Sequence, residues 1–195
     1  VILGGRDFTV EVYATIEKLE DGHYPQIYKI YDTSYTHLLY GHSINGEVNA
    51  KYNPVNPDSD GGPFTNIREG SGGSRAWLGK FRHYTVVHRY NSPTSTTMLY
   101  YIDSVYIGSV DTGVNINYSL SQSSRTILLS SNQHTGTIAY FRIWDGIALS
   151  PDKVRNLYIT RHVKKNYDLS NMVKMQYDSL WDSAGTDIVR PSYAW

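Results

Sequence analysis

The chain has 195 residues with 18 Lys and Arg against 18 Asp and Glu, so its formal net charge is zero, and it contains no cysteine. A nucleic-acid partner usually requires a basic surplus, which this composition does not supply, and the lack of cysteine excludes disulfides, thiolate chemistry and cysteine-based zinc sites. No apolar run approaches the roughly 18 residues of a membrane span, so no membrane insertion is expected, and the length suffices for one domain with a sizeable core, with or without an appendage.

The N-terminal part of the chain predicts four strands, at residues 8–17, 25–31, 36–40 and 47–52. The first of them alternates between apolar and polar residues with a period of two, which is typical of a strand with one buried face. Its apolar members, which we expect on the core side, are Phe8, Val10, Val12, Ala14 and Ile16.

Residues 53–73 form a long irregular stretch rich in Gly, Pro, Asn and Asp. Such a stretch inside a compact domain predicts either a flexible surface loop or a rim loop that contacts a ligand. Within it, Asp58 and Asp60 form the cluster that most resembles an oxygen-ligand site for Ca²⁺, although the glycine spacing and the lack of flanking helices exclude an EF-hand. The alternative is a solvated turn at Asp60-Gly61.

The following part of the chain predicts a second set of strands, at residues 81–90, 98–110, 125–131 and 136–144. Asp103-Ser104 divides the second of these into two arms at a tight turn, and residues 91–97 are expected to form a polar hairpin loop. In the last strand, alternation places Ala139, Phe141 and Ile143 against the core.

A short helix is expected at residues 151–158. Ser150 suits the N-cap position and Pro151 suits the first helical turn. Val154, Leu157 and Tyr158 then recur at helical spacing, so one side of the helix can pack on the strands.

Several of these segments, in this order, resemble the laminin G-like domain, a family of the concanavalin A-like jelly rolls. The matching segments are Phe8-Thr9-Val10-Glu11, Phe81-Arg82-His83-Tyr84-Thr85-Val86-Val87, Leu99-Tyr100-Tyr101-Ile102-Asp103-Ser104-Val105, Gly136-Thr137-Ile138-Ala139-Tyr140-Phe141-Arg142-Ile143-Trp144 and Ala148-Leu149-Ser150-Pro151-Asp152-Lys153-Val154. Ser104 stands where the family has its hairpin glycine. The resemblance covers about residues 7–158 and implies an all-β fold, an antiparallel two-sheet β-sandwich (a jelly roll) with one short helix near 151–158.

The resemblance also suggests how the chain is divided. We expect residues 1–158 to form the laminin G-like β-sandwich. The family usually opens with a strand that this chain lacks, so we predict that the C-terminal segment, residues 159–195, packs back on the sandwich and fills an edge. The alternative is a linker to a further module. Because extracellular animal members often carry a disulfide, the lack of cysteine favours a microbial or viral source.

Sugar recognition requires an exposed aromatic ring to stack on the C–H faces of the sugar, together with side chains that bond hydroxyl groups. The loop at residues 130–135 joins two core strands and offers Asn132, Gln133 and His134 at a rim. Tyr106 and Trp77 are the aromatic candidates that complete the predicted ligand-binding set. For each aromatic residue the alternative is packing on a strand, and for the loop it is a plain turn.

Catalytic patterns are missing from the sequence. No pair of carboxylates has the spacing of the glucanases of this superfamily, no G-x-S-x-G motif occurs, and the seven histidines form no zinc pattern. His83 is instead expected to be a packed or hydrogen-bonded strand residue.

The sequence therefore predicts a non-enzymatic binding or adhesion module for a glycan or a protein partner. It would belong to a larger surface, secreted or virion protein, and it would act as a homo-oligomer or within a larger assembly. The first alternative is a purely structural component of a virion, fibre or adhesin. The second is a glycoside hydrolase or polysaccharide lyase of the same superfamily.

Overall fold

A computed structural model describes residues 6–19, 24–31, 36–42, 47–53, 65–68, 77–92, 95–111, 126–131 and 134–163. The chain divides into two compact units, residues 1–155 and 156–195, and the described part of the second unit is residues 156–163. No helix in the described ranges combines the length and the apolar character needed to cross a membrane.

The described elements are ten strands and one helix. In chain order they are β1 (Phe8–Ala14), β2 (Gln26–Tyr31), β3 (Thr36–His42), β4 (Glu47–Asn53), β5 (Thr65–Ile67), β6 (Arg82–Ser92), β7 (Ser95–Ile102), β8 (Val105–Asp111), β9 (Thr126–Ser131), β10 (Ile138–Asp145) and α1 (Pro151–Val163).

The strands form two five-stranded sheets. The order is β10-β1-β6-β7-β8 in the first sheet and β5-β4-β3-β2-β9 in the second, and neighbouring strands are antiparallel. The expected all-β, two-sheet β-sandwich with a single short helix among the described residues is confirmed.

The core lies between the two sheets. The alternation at the N-terminus is confirmed, because Phe8, Val10, Val12, Ala14 and Ile16 are all fully buried. They pack with buried aliphatic and tyrosine side chains from β2, β3, β4, β6 and β7. The polar residues of β1 do not form a solvated face, because Thr9 and Glu11 are fully buried as well. Glu11 is covered by the side chains of His83 and Trp144, which bond its carboxylate, and the Thr9 hydroxyl bonds the backbone of Ile147 and Leu149 in the segment after β10.

The prediction for β10 is wrong at one residue. Phe141 and Ile143 pack against the core as expected, but Ala139 is exposed and Ile138 takes the core position. The reason is an irregularity in the pairing of β1 with β10, where Ala14 lies opposite Ile138 while the preceding residue of β1 lies opposite Tyr140. The extra residue at such a bulge reverses the alternation of sides.

Several boundaries differ from the prediction. The polar loop expected at residues 91–97 is mostly strand, because β6 continues to Ser92 and β7 begins at Ser95. The polar side chains there bond across the hairpin, for example Asn91 Nδ2 to Thr97 Oγ1 at 2.7 Å. The three-residue strand β5 inside the irregular stretch was not predicted, and α1 extends to Val163 instead of ending at residue 158.

The turn between β7 and β8 is confirmed and has an unusual backbone. Asp103 and Ser104 adopt positive φ angles of 51° and 66°, a conformation that suits the hairpin twist but costs a non-glycine residue about 1–2 kcal/mol. Asp103 is held there, because its Oδ1 accepts a hydrogen bond from the His83 backbone N–H at 2.9 Å. Ser104 has the same unfavourable backbone angle without a comparable side-chain hydrogen bond among the described residues.

We therefore expect Ser104→Gly to raise the free energy of unfolding by about 1 kcal/mol, because glycine adopts this φ angle without steric cost. Urea unfolding followed by circular dichroism measures the change. Ser109→Gly is the matched control, since Ser109 is exposed within β8, where glycine should lower the free energy of unfolding by about 0.5–1 kcal/mol. An equal loss for both variants would contradict the turn assignment.

Candidate functional site

Four of the sequence-predicted site residues lie outside the described residues. They are Asn132 and Gln133 of the ligand set and Asp58 and Asp60 of the calcium prediction. Across the described ranges, no group of three or more His, Asp or Glu side chains is arranged to hold a metal ion.

The other three predicted residues are described, and the structure does not bring them together. Trp77 is buried and belongs to the core cluster, so its ring packs inside the domain and is not available for stacking on a sugar. Tyr106 is exposed on β8 and contacts the ring of Tyr101 at a centroid distance of 5.5 Å. His134 lies just before β10, at the opposite edge of the first sheet from β8, which is about 19 Å away at the usual strand spacing.

His134 fixes a connection between strands. Its Nε2–H donates to the Thr15 carbonyl oxygen at 2.9 Å, so the neutral ring accepts at Nδ1 from the Ser130 hydroxyl, also at 2.9 Å. Burial lowers the pKa of His134, and the hydrogen bond to Thr15 opposes that shift. Because both ring nitrogens are occupied, His134 acts on a ligand at most by positioning the loop.

A group of aromatic rings, not predicted from the sequence, lies on the outer face of the first sheet. Tyr13 is in contact with Phe81 at a centroid distance of 5.0 Å and with Tyr140 at 5.6 Å. Phe81 is 42% exposed, and the two tyrosines are half-buried. We call Tyr13, Phe81 and Tyr140 the ring platform.

Strand pairing explains why these rings meet. Tyr13 lies directly opposite Tyr140 of β10 and opposite His83 of β6, so their side chains are on the same face of the sheet. Phe81 lies just before β6, and its contact with Tyr13 places its ring on that same face.

A buried carboxylate lies beside the ring platform. Glu11, two residues before Tyr13 on the same face of β1, is fully buried. Its Oε1 accepts from His83 Nε2–H at 2.9 Å, and its Oε2 accepts from Trp144 Nε1–H at 3.1 Å. The Arg142 guanidinium is 3.5 Å from Oε2.

Glu11 is ionised in this environment. Burial by itself would raise its pKa, but the hydrogen bond from His83, the positive charge of Arg142 and the hydrogen bond from Trp144 together hold the pKa below the ordinary value of 4.5. The carboxylate thus connects β1 with side chains on both of its neighbouring strands, β6 and β10.

The same network orients the ring platform. Arg142, held on one side by Glu11, lies over the ring of Tyr140 at 4.3 Å from its centroid, a geometry in which the guanidinium is attracted to the ring face. Its side chain is 30% exposed. The arrangement can present rigid rings and one guanidinium to a ligand. It cannot perform acid–base chemistry on one, because Glu11 and His83 are both fully buried and a general base must reach its substrate.

A second buried polar pair connects the two sheets. His88 of β6 and His37 of β3 are in contact through their Nε2 atoms at 3.1 Å, and both are fully buried. Phe8 stacks on His88 at 4.1 Å, and Tyr28 lies 5.4 Å from His37. Neither Nδ1 atom has a hydrogen-bond partner within the described part of the chain.

Burial keeps these two histidines neutral. It lowers the pKa of His37 to about 3, and it also lowers the pKa of His88, with the neighbouring His37 adding to the shift. With no solvent access, the pair has a structural function in the interior.

The ring platform could in part have been found from the sequence. Tyr13, Tyr140 and Arg142 stand on the polar side of two strands that alternate clearly. The missing information was the register, because only the pairing of β1 with both β6 and β10 brings them together with Glu11. His83 was expected to be packed or hydrogen-bonded, and this is confirmed.

No protein-family model matches the chain, and no curated protein sequence matches it either. Several solved structures share its fold. One is domain 4 of AbnA, a GH43 extracellular arabinanase from Geobacillus stearothermophilus, in complex with arabinotriose; the TM-score is 0.59 at 16% identity, and the match covers 81% of this chain and 68% of that one.

Two further structures have different origins. The binding domain of botulinum neurotoxin DC in complex with SialylT gives a TM-score of 0.55 at 13% identity over 80% of this chain and 35% of that one. The heptameric SAP-like pentraxin from Limulus polyphemus gives 0.52 at 16% identity over 78% and 70%. The chain thus spans about a third of the length of the neurotoxin binding domain. At these identities the likeness shows a shared β-sandwich fold.

Proposed function

We propose that this chain is a non-enzymatic binding module that receives a glycan on the ring platform. The observation that supports this most directly is the partly exposed ring of Phe81, which is fixed by contact with Tyr13 on a surface whose base is a buried hydrogen-bond network. An apolar ring face that is held rigidly stacks on the C–H face of a sugar with little loss of conformational entropy.

Each component then has its own task. Phe81 supplies the exposed stacking surface, and Tyr13 and Tyr140 extend it across the strands. Arg142 offers guanidinium N–H donors to sugar hydroxyl or carboxylate oxygens, since its side chain is partly exposed beside Tyr140. Glu11 acts through Arg142 and does not touch the ligand.

Solved structures of the same fold are compatible with this proposal. Domain 4 of the arabinanase was determined with arabinotriose, and the neurotoxin binding domain was determined with SialylT. Tyr106, exposed on β8, remains a candidate for a second contact, as do Asn132 and Gln133. We place such a module in a larger protein that acts outside the cell, at a cell surface or on a virion.

A protein partner is the second candidate. A neurotoxin binding domain of the same fold was determined in complex with rat synaptotagmin II, and strand β9 exposes a row of aliphatic side chains that suits protein contact. This surface belongs to the second sheet, so the two proposals can be tested on separate variants.

The decisive experiment is a glycan array followed by titration calorimetry on the best ligand. We expect Phe81→Ala to weaken binding by about tenfold or more, because the stacking surface is lost. Val105→Ala is the matched control, since Val105 is 62% exposed on β8 at the far edge of the same sheet, and it should bind like the wild type. Glycan binding that is unaffected by Phe81→Ala, or no binding to any glycan, would contradict the proposal.

A further inference from the structure

Arg142 places a positive charge beside the ring platform and keeps most of its hydrogen-bond donors for other molecules. Its Nη1 lies 3.5 Å from Glu11 Oε2, and within the described part of the chain no acceptor bonds its Nε or Nη2. Two other arginines differ, because Arg6 and Arg82 each donate a hydrogen bond to an aspartate, at 2.7 Å and 3.2 Å. Of the five N–H donors of the Arg142 guanidinium, most are therefore directed to solvent or to a ligand.

The Arg142 guanidinium is held in place from two sides. Glu11, which is fully buried, supplies the opposite charge, and its two oxygens are themselves fixed by His83 and Trp144. On the other side, the guanidinium carbon lies 4.3 Å from the centroid of the Tyr140 ring. Because the side chain is still 30% exposed, it can bind a ligand with little further loss of conformational freedom.

A fixed guanidinium with outward N–H groups fits one kind of sugar substituent best. A carboxylate can accept two parallel N–H bonds from it, and such charge-assisted bonds are about twice as strong as those between neutral groups. A guanidinium is also more weakly hydrated than an ammonium group, so less hydration is lost when a ligand covers it. A sugar hydroxyl accepts from the same donors but brings no opposite charge.

We infer that the ring platform selects acidic oligosaccharides, in which one sugar stacks on Phe81 and the carboxylate of another sugar is bound by Arg142. This inference rests on the proposed function and names the substrate class. The two contacts belong to different sugars, because Phe81 lies just before β6 and Arg142 is on β10. These strands are two strand spacings apart, about 10 Å, which is more than one sugar ring spans. Uronic acids and sialic acids both supply such a carboxylate.

The test is titration calorimetry with matched pairs of oligosaccharides. One pair is a uronic-acid oligosaccharide and its carboxyl-reduced form, and the other is a sialylated oligosaccharide and its carboxyl-reduced form. The wild type should bind the acidic member of at least one pair about tenfold or more tightly than the reduced member, and the pair that shows the difference identifies the source of the carboxylate. Raising the salt from about 50 mM to about 500 mM should weaken binding of the acidic member only.

Three variants assign the preference to the guanidinium, and circular dichroism checks that each is folded. Arg142→Gln should bind both members with the affinity of the reduced one. Arg142→Lys keeps a positive charge near Glu11 but has no planar fork, so it should lose most of the preference. Arg89→Gln is the matched control and should keep the full preference, since Arg89 is exposed and alternation along β6 places it on the same face of the sheet.

The possible failures are distinguishable. Equal binding of both members that still requires Phe81 would overturn this inference and leave the proposed function standing. A preference that Arg142→Gln retains, a preference that Arg89→Gln also loses, or binding confined to a sulfated oligosaccharide without carboxyl groups would overturn it as well. No binding of any of these oligosaccharides, or binding that Phe81→Ala leaves unchanged, would contradict the proposed function itself.

Discussion

Replacing Glu11 by alanine is expected to lower the free energy of unfolding by about 3–5 kcal/mol, the usual cost of removing one partner from a buried charged network. The loss is large because three donors lose their acceptor at once: the Nε2–H of His83, the Nε1–H of Trp144 and the guanidinium of Arg142. A buried donor without an acceptor retains its full desolvation penalty. For a chain of this length the melting temperature should fall by roughly 8–15 °C.

Two comparison variants separate the charge from the shape. Glu11→Gln keeps an acceptor oxygen for His83 but removes the negative charge, so its loss should be smaller than that of Glu11→Ala. Glu17→Ala removes a carboxylate from an exposed position and should change the free energy of unfolding by no more than about 0.5 kcal/mol. Urea unfolding measures all three. A loss below about 1 kcal/mol for Glu11→Ala would show that the network is not what holds the three strands together.

The same variants relate the fold to the proposed ligand surface. If the network orients Arg142 over Tyr140, the folded fraction of Glu11→Gln should bind a glycan more weakly than the wild type. The Phe81→Ala variant should also bind more weakly, but its stability should stay close to that of the wild type, because Phe81 is partly exposed.

Local patterns were sufficient to predict most of the fold. Alternation from Phe8 to Ile16 identified a core strand, the pair Asp103-Ser104 identified the hairpin turn, and Ser150 identified the start of the helix. These signals depend on the residues themselves and their nearest neighbours in sequence. The bulge that exposes Ala139 could not be predicted, because it results from the pairing of β1 with β10, far apart in the chain.

The candidate site shows the same limit more clearly. The role of Glu11 could not be recognised from the sequence, because its partners His83, Arg142 and Trp144 are on other strands. Trp77 was named as a candidate stacking ring with packing as the alternative, and the structure buries its ring in the core, where its large apolar area is favoured. Residue type suggested aromatic side chains as candidates, and the register of the strands determines which of them lie together.

Stability is expected to fall steeply as the pH drops below about 6.5, because His37 and His88 are buried in the neutral form. Burial lowers the folded-state pKa of His37 from 6.5 to about 3, so the unfolded chain takes up protons more readily than the folded chain between these two values. The stabilisation is therefore fully present above pH 6.5 and is lost progressively as the pH falls towards 3. His37 alone should account for about 2 kcal/mol of lost stability at pH 5, and His88 changes stability in the same direction.

The pH window separates this effect from that of the carboxylates. The lowered pKa of Glu11 adds stability that is lost only as the pH falls below the ordinary carboxyl pKa of 4.5. A loss of stability between pH 6.5 and 5 is therefore caused by histidine.

The test is the free energy of unfolding as a function of pH for the wild type and for the double variant His37→Leu, His88→Met. In the double variant, where no buried imidazole remains between β3 and β6, the slope between pH 6.5 and 5 should largely vanish. His134→Gln removes a half-buried histidine instead and should retain most of the slope. Equal slopes in the wild type and the double variant would mean that the buried pair does not titrate during acid unfolding, and a wild-type slope that is lost in His134→Gln would assign the effect to the loop before β10.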